Sequence, residues 1–303
     1  MRILLTGTSG QVGGALLPLL ERQVAADEGS VLAPRREAFD LSQPATLGAA
    51  LDALAPDLIV NPAAYTAVDR AEDERELAFR VNADAPAVMA QWAARRDVPM
   101  VHVSTDYVFD GSGTAPWRED SEPNPLSVYG ASKLAGDLAI MAAAPAHLII
   151  RTSWVYAAKG TNFLNTMIRL AGEREELRIV ADQVGAPTSA RVIAQTIAGI
   201  LGAAQGDPAR MLRARGGILN VACSGETSWH GFASAIVEGM RARGAALKCQ
   251  RIVPISTAEF PTRATRPANS RLNVQRLSEM FGCATPAWDE ALQLECLTIS
   301  SVN

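Results

Sequence analysis

Cysteine is scarce in this chain of 303 residues, and the four that occur (Cys223, Cys249, Cys283, Cys296) all fall in its last third. No C-x-x-C pair occurs, and no histidine stands at finger spacing from a cysteine. A zinc finger and a disulfide framework are thereby excluded, and reduced thiols are the expected state. Aromatic residues make up only 5%. Long hydrophobic runs are missing as well: Val192 to Ala204, the most apolar stretch, is broken by Gln195, Thr196 and Gly199. It falls short of the roughly 20 residues a membrane span needs. Met1 to Gly7 is too short an apolar run for a signal peptide, so a strand opening the domain of a cytoplasmic protein is expected. No Lys/Arg-rich block appears and the net charge is -4, which argues against a nucleic-acid partner. What remains, 48% hydrophobic and 20% charged, is globular composition at about twice the length of a typical domain.

The first half alternates short apolar runs with longer amphipathic ones. Ile3–Leu5, Ser30–Ala33, Leu58–Val60, Met100–Val103 and Leu148–Ile150 read as strands buried on both faces. Between them, Leu77, Val81, Val88 and Trp92 are expected to line one helical face, and Leu134, Leu138 and Met141 another. Strand and helix in alternation imply an α/β fold, a Rossmann-type doubly wound parallel sheet. After Trp154 the rhythm loosens and prolines punctuate it. Two helices are clear there, one through Ile193, Ile197, Ile200 and Leu201 and one through Trp229, Phe232 and Ile236. A dinucleotide-binding domain over 1–155 and a smaller α+β substrate domain over 156–303 are expected, interwoven at their boundary and sharing a cleft.

Directly after the first strand, Gly7, Gly10 and Gly13 form G-x-x-G-x-x-G, with Gln11 and Val12 inside it. Such a turn places backbone N–H groups and the positive end of a helix dipole against a pyrophosphate. The second strand runs into Pro34-Arg35-Arg36 with no acidic residue at its tip, which suits a 2′-phosphate and hence NADPH. Asp40 and Leu41 follow, near the adenine or before the next helix.

Tyr129 and Lys133 are spaced i, i+4, so on a helix phenol and ammonium share a face. A nearby cation is expected to lower the phenol's pKa, which makes Tyr129 a usable general acid for a carbonyl under reduction. Thr105, with Ser104 beside it, ends the strand before that helix and supplies a hydroxyl. His102 reads as a satisfied core histidine.

Glycine turn, hydroxyl, tyrosine and lysine in this order resemble the short-chain dehydrogenase/reductase superfamily. Ser104–Gly111, Pro125–Gly130, Arg151–Tyr156, Asp182–Thr188, Arg266–Leu272 and Tyr65–Asp69 narrow the likeness to its extended-type dTDP-4-dehydrorhamnose reductase family, over roughly residues 1 to 290. The resemblance implies reduction of the C4 keto group of dTDP-4-dehydro-β-L-rhamnose with NADPH, NADH also being accepted by members. Tyr129 would be the proton donor, Lys133 the ribose ligand, and Thr105 the partner of the reacting oxygen. Asp106 and Trp154 would face the sugar, Ala64, Tyr65 and Thr66 would line the cofactor, and Arg266 would contact the nucleotide. Pro62 stands where the family usually has alanine, which changes the donors of that loop. Two other readings share these motifs: a reductase of another dTDP-4-keto-6-deoxyhexose, and a non-catalytic NADP-binding subunit, which the intact Thr105, Tyr129 and Lys133 disfavour. Some relatives hold magnesium between subunits through carboxylates at positions that are Ala15 and Arg191 here, and Glu290 or Glu295 is a poor replacement. No metal requirement is therefore expected, with a monomer or a differently built homodimer.

Overall fold

The computed structural model describes residues 1–25, 28–144 and 146–299. Strands β1 (Arg2–Leu5), β2 (Ser30–Leu32), β3 (Leu58–Asn61), β4 (Met100–Thr105) and β5 (His147–Thr152) lie where the apolar runs predict them. With a sixth strand, Gly217–Asn220, they form one sheet in the order β2-β1-β3-β4-β5-sixth. Every pairing in it is parallel. The chain moves outward from β1 to β2 and then returns to pair β3 on the other side of β1. The carboxyl ends of β1 and β3 therefore open on a topological switch point, where crevices form in such sheets.

Strand side chains alternate between two buried layers. Ile3, Leu5, Val60, Val101, Val103 and Ile150 pack under α1 (Gln11–Ala25) and the helix Ala190–Gly202. Leu4, Ile59, Met100 and Ile149 pack on the other face, against α2 (Pro44–Leu54), the helix Ala85–Arg96 and Ile140 of the helix Val128–Ala143. Both the sixth strand and the helix Ala190–Gly202 thus join the sheet layer, although they lie beyond residue 155. A separate core gathers Tyr156, Leu164, Met167, Phe232, Ile236 and Leu292.

Two expected helical faces are corrected. A π-helical turn, Arg80–Asp84, joins Arg75–Phe79 to Ala85–Arg96. Its extra residue per turn shifts the phase, so Ala85, Met89, Ala90, Trp92 and Ala93 are buried while Leu77, Val81 and Val88 are only partly so. On the helix Val128–Ala143, Leu138 and Met141 are exposed. The buried face is instead Ser132, Lys133, Gly136, Asp137 and Ile140, a polar row that hydrophobic periodicity cannot reveal. Behind residue 155 the helices Phe163–Glu173, Pro208–Arg215, Gln275–Phe281 and Trp288–Thr298 add to the two that were clear. No helix of the described residues is long and apolar enough to cross a membrane.

Candidate active site

The glycine turn closes tightly on itself. Gly7 has φ +62°, a left-handed backbone that glycine adopts without strain, and Gly10 N–H donates to the Gly7 carbonyl at 2.9 Å. A Cβ on Gly13 would stand 2.2 Å from that same carbonyl oxygen. The first turn of α1 therefore lies directly on the loop, with its free N–H groups at the mouth formed by β1 and β3. No side chain is accommodated at Gly13, and a helix N-terminus set this closely on a glycine loop is an arrangement suited to a pyrophosphate. Val12 is buried beneath the loop. Gln11 is engaged elsewhere: its side-chain oxygen accepts from Asn162 Nδ2 at 3.0 Å, tying the loop to the residue that caps Phe163–Glu173.

Beyond β2, Arg35 and Arg36 are exposed. Asp40 accepts from Ser42 N–H at 2.9 Å and lies 3.4 Å from the Arg36 guanidinium, while Leu41 is buried in the core. Beyond β3, Pro62 falls after the last ladder residue, Asn61, so the sheet loses no donor. The following turn, Ala64 to Thr66, is held by Asn82: its amide accepts from Tyr65 N–H at 2.8 Å and donates to Tyr65 O at 3.0 Å and to Ser132 Oγ at 3.0 Å. The Tyr65 hydroxyl donates to Glu74 at 2.7 Å. Asn82 was not foreseen. The signal for it is the π-turn around it, a feature that tends to occur at functional sites.

At the end of β4, Thr105 is 5% exposed. Its hydroxyl accepts from Tyr107 N–H at 3.2 Å and donates to Asp106 Oδ1 at 3.1 Å. Burial pushes the Asp106 carboxyl up to about 6, against the pull of Ser270 and Thr105. Ser127 caps the next helix by accepting from Gly130 N–H at 3.1 Å, and the first turn carries Tyr129 to the Thr105 side. Burial raises the Tyr129 phenol and the Thr105 hydroxyl lowers it in part. The expected lowering by Lys133 is absent. The Lys133 ammonium is turned into the protein, donating to Val103 O at 2.7 Å and standing 2.9 Å from His102 Nε2. Burial brings it down to about 8.

On the substrate side, Trp154 has φ +49° and stacks on Trp229 with ring centroids 3.7 Å apart. Trp229, which periodicity reads only as a helix core residue, thus backs the expected sugar contact. Arg266 is bidentate to Asp69, at 2.6 and 3.1 Å, and adjoins Tyr107, whose ring meets Tyr129 edge-on at 5.5 Å. The structure thus links Thr105, Asp106, Tyr129 and Arg266 through shared neighbours.

The residues present do not fit a magnesium site. Ala15 offers no ligand, and Arg191 Nε donates to Glu295 at 2.7 Å. The other Glu295 oxygen accepts from Ala158 N–H at 2.9 Å, and Glu290 accepts from Ala287 N–H at the start of the last helix. The Arg191 guanidinium occupies one Glu295 oxygen, and hard cations need free carboxylate oxygens.

The model of the RmlD substrate binding domain family matches residues 1–300. The dTDP-4-dehydrorhamnose reductase of Burkholderia thailandensis is 47% identical over 300 residues, 97% of each chain. That of Escherichia coli is 41% identical over 291 residues, 95% of this chain and 94% of its own. Among solved structures, the dTDP-4-dehydrorhamnose reductase of Clostridium acetobutylicum superposes with a TM-score of 0.86 at 34% identity, covering 97% of this chain and 98% of that one. The Bacillus anthracis enzyme, in complex with NADP, gives 0.85 at 32% identity over 98% of both chains. Family model and relatives alike extend over nearly the whole length, and the chain belongs to the dTDP-4-dehydrorhamnose reductase family.

Proposed function

We propose that this chain reduces the C4 carbonyl of dTDP-4-dehydro-β-L-rhamnose with NADPH, giving dTDP-β-L-rhamnose. The observation that carries the reading is the placement of Thr105 and Tyr129 beside one another at the carboxyl end of β4, in the same parallel sheet as β1 and its glycine turn and one strand removed from it. The nicotinamide, when bound, supplies the hydride equivalent that goes to C4. The chain's own groups do the rest. Gly7, Gly10 and Gly13 hold the pyrophosphate on the α1 N-terminus, and the loop Ala64 to Thr66 lines the cofactor. Arg35 and Arg36 stand exposed where a 2′-phosphate would lie, which favours NADPH over NADH. Thr105 bonds the C4 oxygen, and Tyr129 gives it the phenol proton as the C–O double bond becomes single. Raised by burial, the phenol stays protonated until the oxygen gains charge, as a general acid must. Asp106 and Trp154 place the sugar, and Arg266 reaches the nucleotide. Substrate positioning and a poised proton are the protein's contributions.

Incubation with dTDP-4-dehydrorhamnose and either NADPH or NADH tests this. Loss of nicotinamide absorbance with formation of dTDP-rhamnose, faster with NADPH, is expected. No turnover, or a product of the other C4 configuration, would contradict it.

A further inference from the structure

His102 has no role in the reaction as described so far, yet it is fully buried at the centre of a polar row that runs under the site. The row follows from two periodicities. Met100, His102 and Ser104 point to the sheet face covered by Val128–Ala143, because alternate residues of a strand share a face. Two strand residues advance about 6.6 Å and four helix residues about 6 Å, so His102 and Ser104 come into step with Lys133 and Asp137. The contacts bear out the match. Lys133 Nζ stands 2.9 Å from His102 Nε2, and Ser104 Oγ donates to Asp137 Oδ2 at 2.8 Å. Neighbouring strands continue the row in register. Asn61 pairs with His102 and Arg151 with Ser104. His102 Nδ1 is 3.0 Å from the Asn61 amide, and the other end of that amide is 2.5 Å from the Thr6 hydroxyl, one residue before Gly7.

We infer that His102 is a positioning residue, whose Nε2 accepts a hydrogen bond from Lys133 and so aims the remaining ammonium N–H at the bound cofactor. The inference rests on the function proposed above and concerns how the lysine of that site is held. An ammonium has three donors and no acceptor. Val103 O takes one donor at 2.7 Å and His102 Nε2 a second, which leaves one for the ribose side. With Nε2 accepting, the ring proton sits on Nδ1. The structure sets Asn61 Nδ2 against Nδ1 and lets the Thr6 hydroxyl donate to Asn61 Oδ1; the isosteric amide turned end for end puts its oxygen on Nδ1–H and its N–H on the Thr6 hydroxyl, the orientation this tautomer requires. Lysine and glycine turn are thereby set relative to each other through four side chains, Thr6, Asn61, His102 and Lys133. Burial together with the Lys133 charge holds His102 well below its ordinary range, so it remains an acceptor at neutral pH. The charged groups facing the pair are Asp137, one turn along the lysine's helix, and Arg151 from β5, which is paired to Asp137.

Three variants separate positioning from packing. Glutamine can place its side-chain oxygen where Nε2 was, asparagine reaches only as far as Nδ1, and leucine offers no acceptor. NADPH affinity is read by quenching of protein fluorescence across pH, without sugar, and turnover is read separately. His102→Leu and His102→Asn are expected to weaken NADPH binding on the order of ten-fold, the scale of a lost hydrogen bond to a charge. They should also move the alkaline limb of binding to lower pH, because the ammonium loses an acceptor. His102→Gln should recover most of both. Equal behaviour of the glutamine and asparagine variants, or an unmoved alkaline limb in both His102→Asn and His102→Leu, would overturn the inference. If His102→Leu does not fold, the glutamine and asparagine pair still decides. A wild-type chain that binds NADPH but leaves dTDP-4-dehydrorhamnose untouched would sink the proposed function, while the binding comparison would still judge His102.

Discussion

Tyr129 meets Thr105 because Ser127 starts a helix where β4 has just ended, and the first turn of that helix hangs over the strand's last hydroxyl. Tyr129→Phe removes the proton without disturbing that packing. It is expected to lower kcat by roughly 10²–10⁴, the usual scale for a lost general acid, with NADPH affinity kept. Single-turnover rates beside NADPH titrations check this, and near-normal turnover would remove Tyr129 from the chemistry. Asp106 supplies a pH dependence. Its ionised carboxylate accepts from Thr105, and it protonates as the pH falls through about 6. The wild type should lose kcat/KM over that limb, and Asp106→Asn should be low and flat there. The stability term has the opposite sense. The native carboxyl holds its proton up to about 6 against 3.8 in the reference state, so its contribution favours the fold at low pH and is lost as pH rises through that window. Thermal melts should therefore show Asp106→Asn gaining on the wild type from pH 4 to pH 8. Thr105, Tyr129 and Lys133 stand out in the sequence only as an ordered set that resembles the Ser/Thr-Tyr-Lys arrangement of the superfamily. The direction of the Lys133 side chain was not legible, because it depends on His102 and Val103, whose strand register no local pattern encodes.

Element by element, strands were easier to read than helix faces. All five expected apolar runs are strands, and four are buried as expected, whereas Ser30–Leu32 is the edge strand and stays partly exposed. The helix Val128–Ala143 defeats periodicity because its buried side carries Lys133 and Asp137 while Leu138 and Met141 face outward. The helices behind residue 155 were partly overlooked: Leu164, Met167, Ile168 and Ala171 hold helical spacing and are buried. The contact between α1 and the glycine turn gives the sharpest element-scale prediction. Gly13→Ala puts a methyl 2.2 Å from the Gly7 carbonyl oxygen, and the neighbour is backbone. A loss of about 1–3 kcal/mol, the range for overpacking, is expected in denaturant melts. NADPH affinity should fall with it, whereas Gly48→Ala, inside α2 with open space around it, should leave NADPH affinity unchanged and stabilise the fold by about 0.5–1 kcal/mol.

For the molecule as a whole, side-chain bonds tie the sheet layer to the later part of the chain. Gln11 bonds Asn162, Asp69 bonds Arg266, and Arg191 bonds Glu295. In the last of these pairs Arg191 takes up the carboxylate of Glu295. Treatment with EDTA is therefore expected to leave activity and sedimentation unchanged, and added magnesium to restore nothing. A metal-dependent dimer whose activity collapses on chelation would contradict this. The proposed reaction delivers hydride to one carbon and a proton from one side chain. NADPH deuterated at the transferring position of the nicotinamide, with dTDP-4-dehydrorhamnose as acceptor and the product examined by NMR, separates the two. The expected product is dTDP-rhamnose carrying deuterium at C4 alone, formed rapidly by the wild type and only slowly by Tyr129→Phe. Deuterium at another carbon, or equal rates from the two proteins, would contradict the proposed reaction.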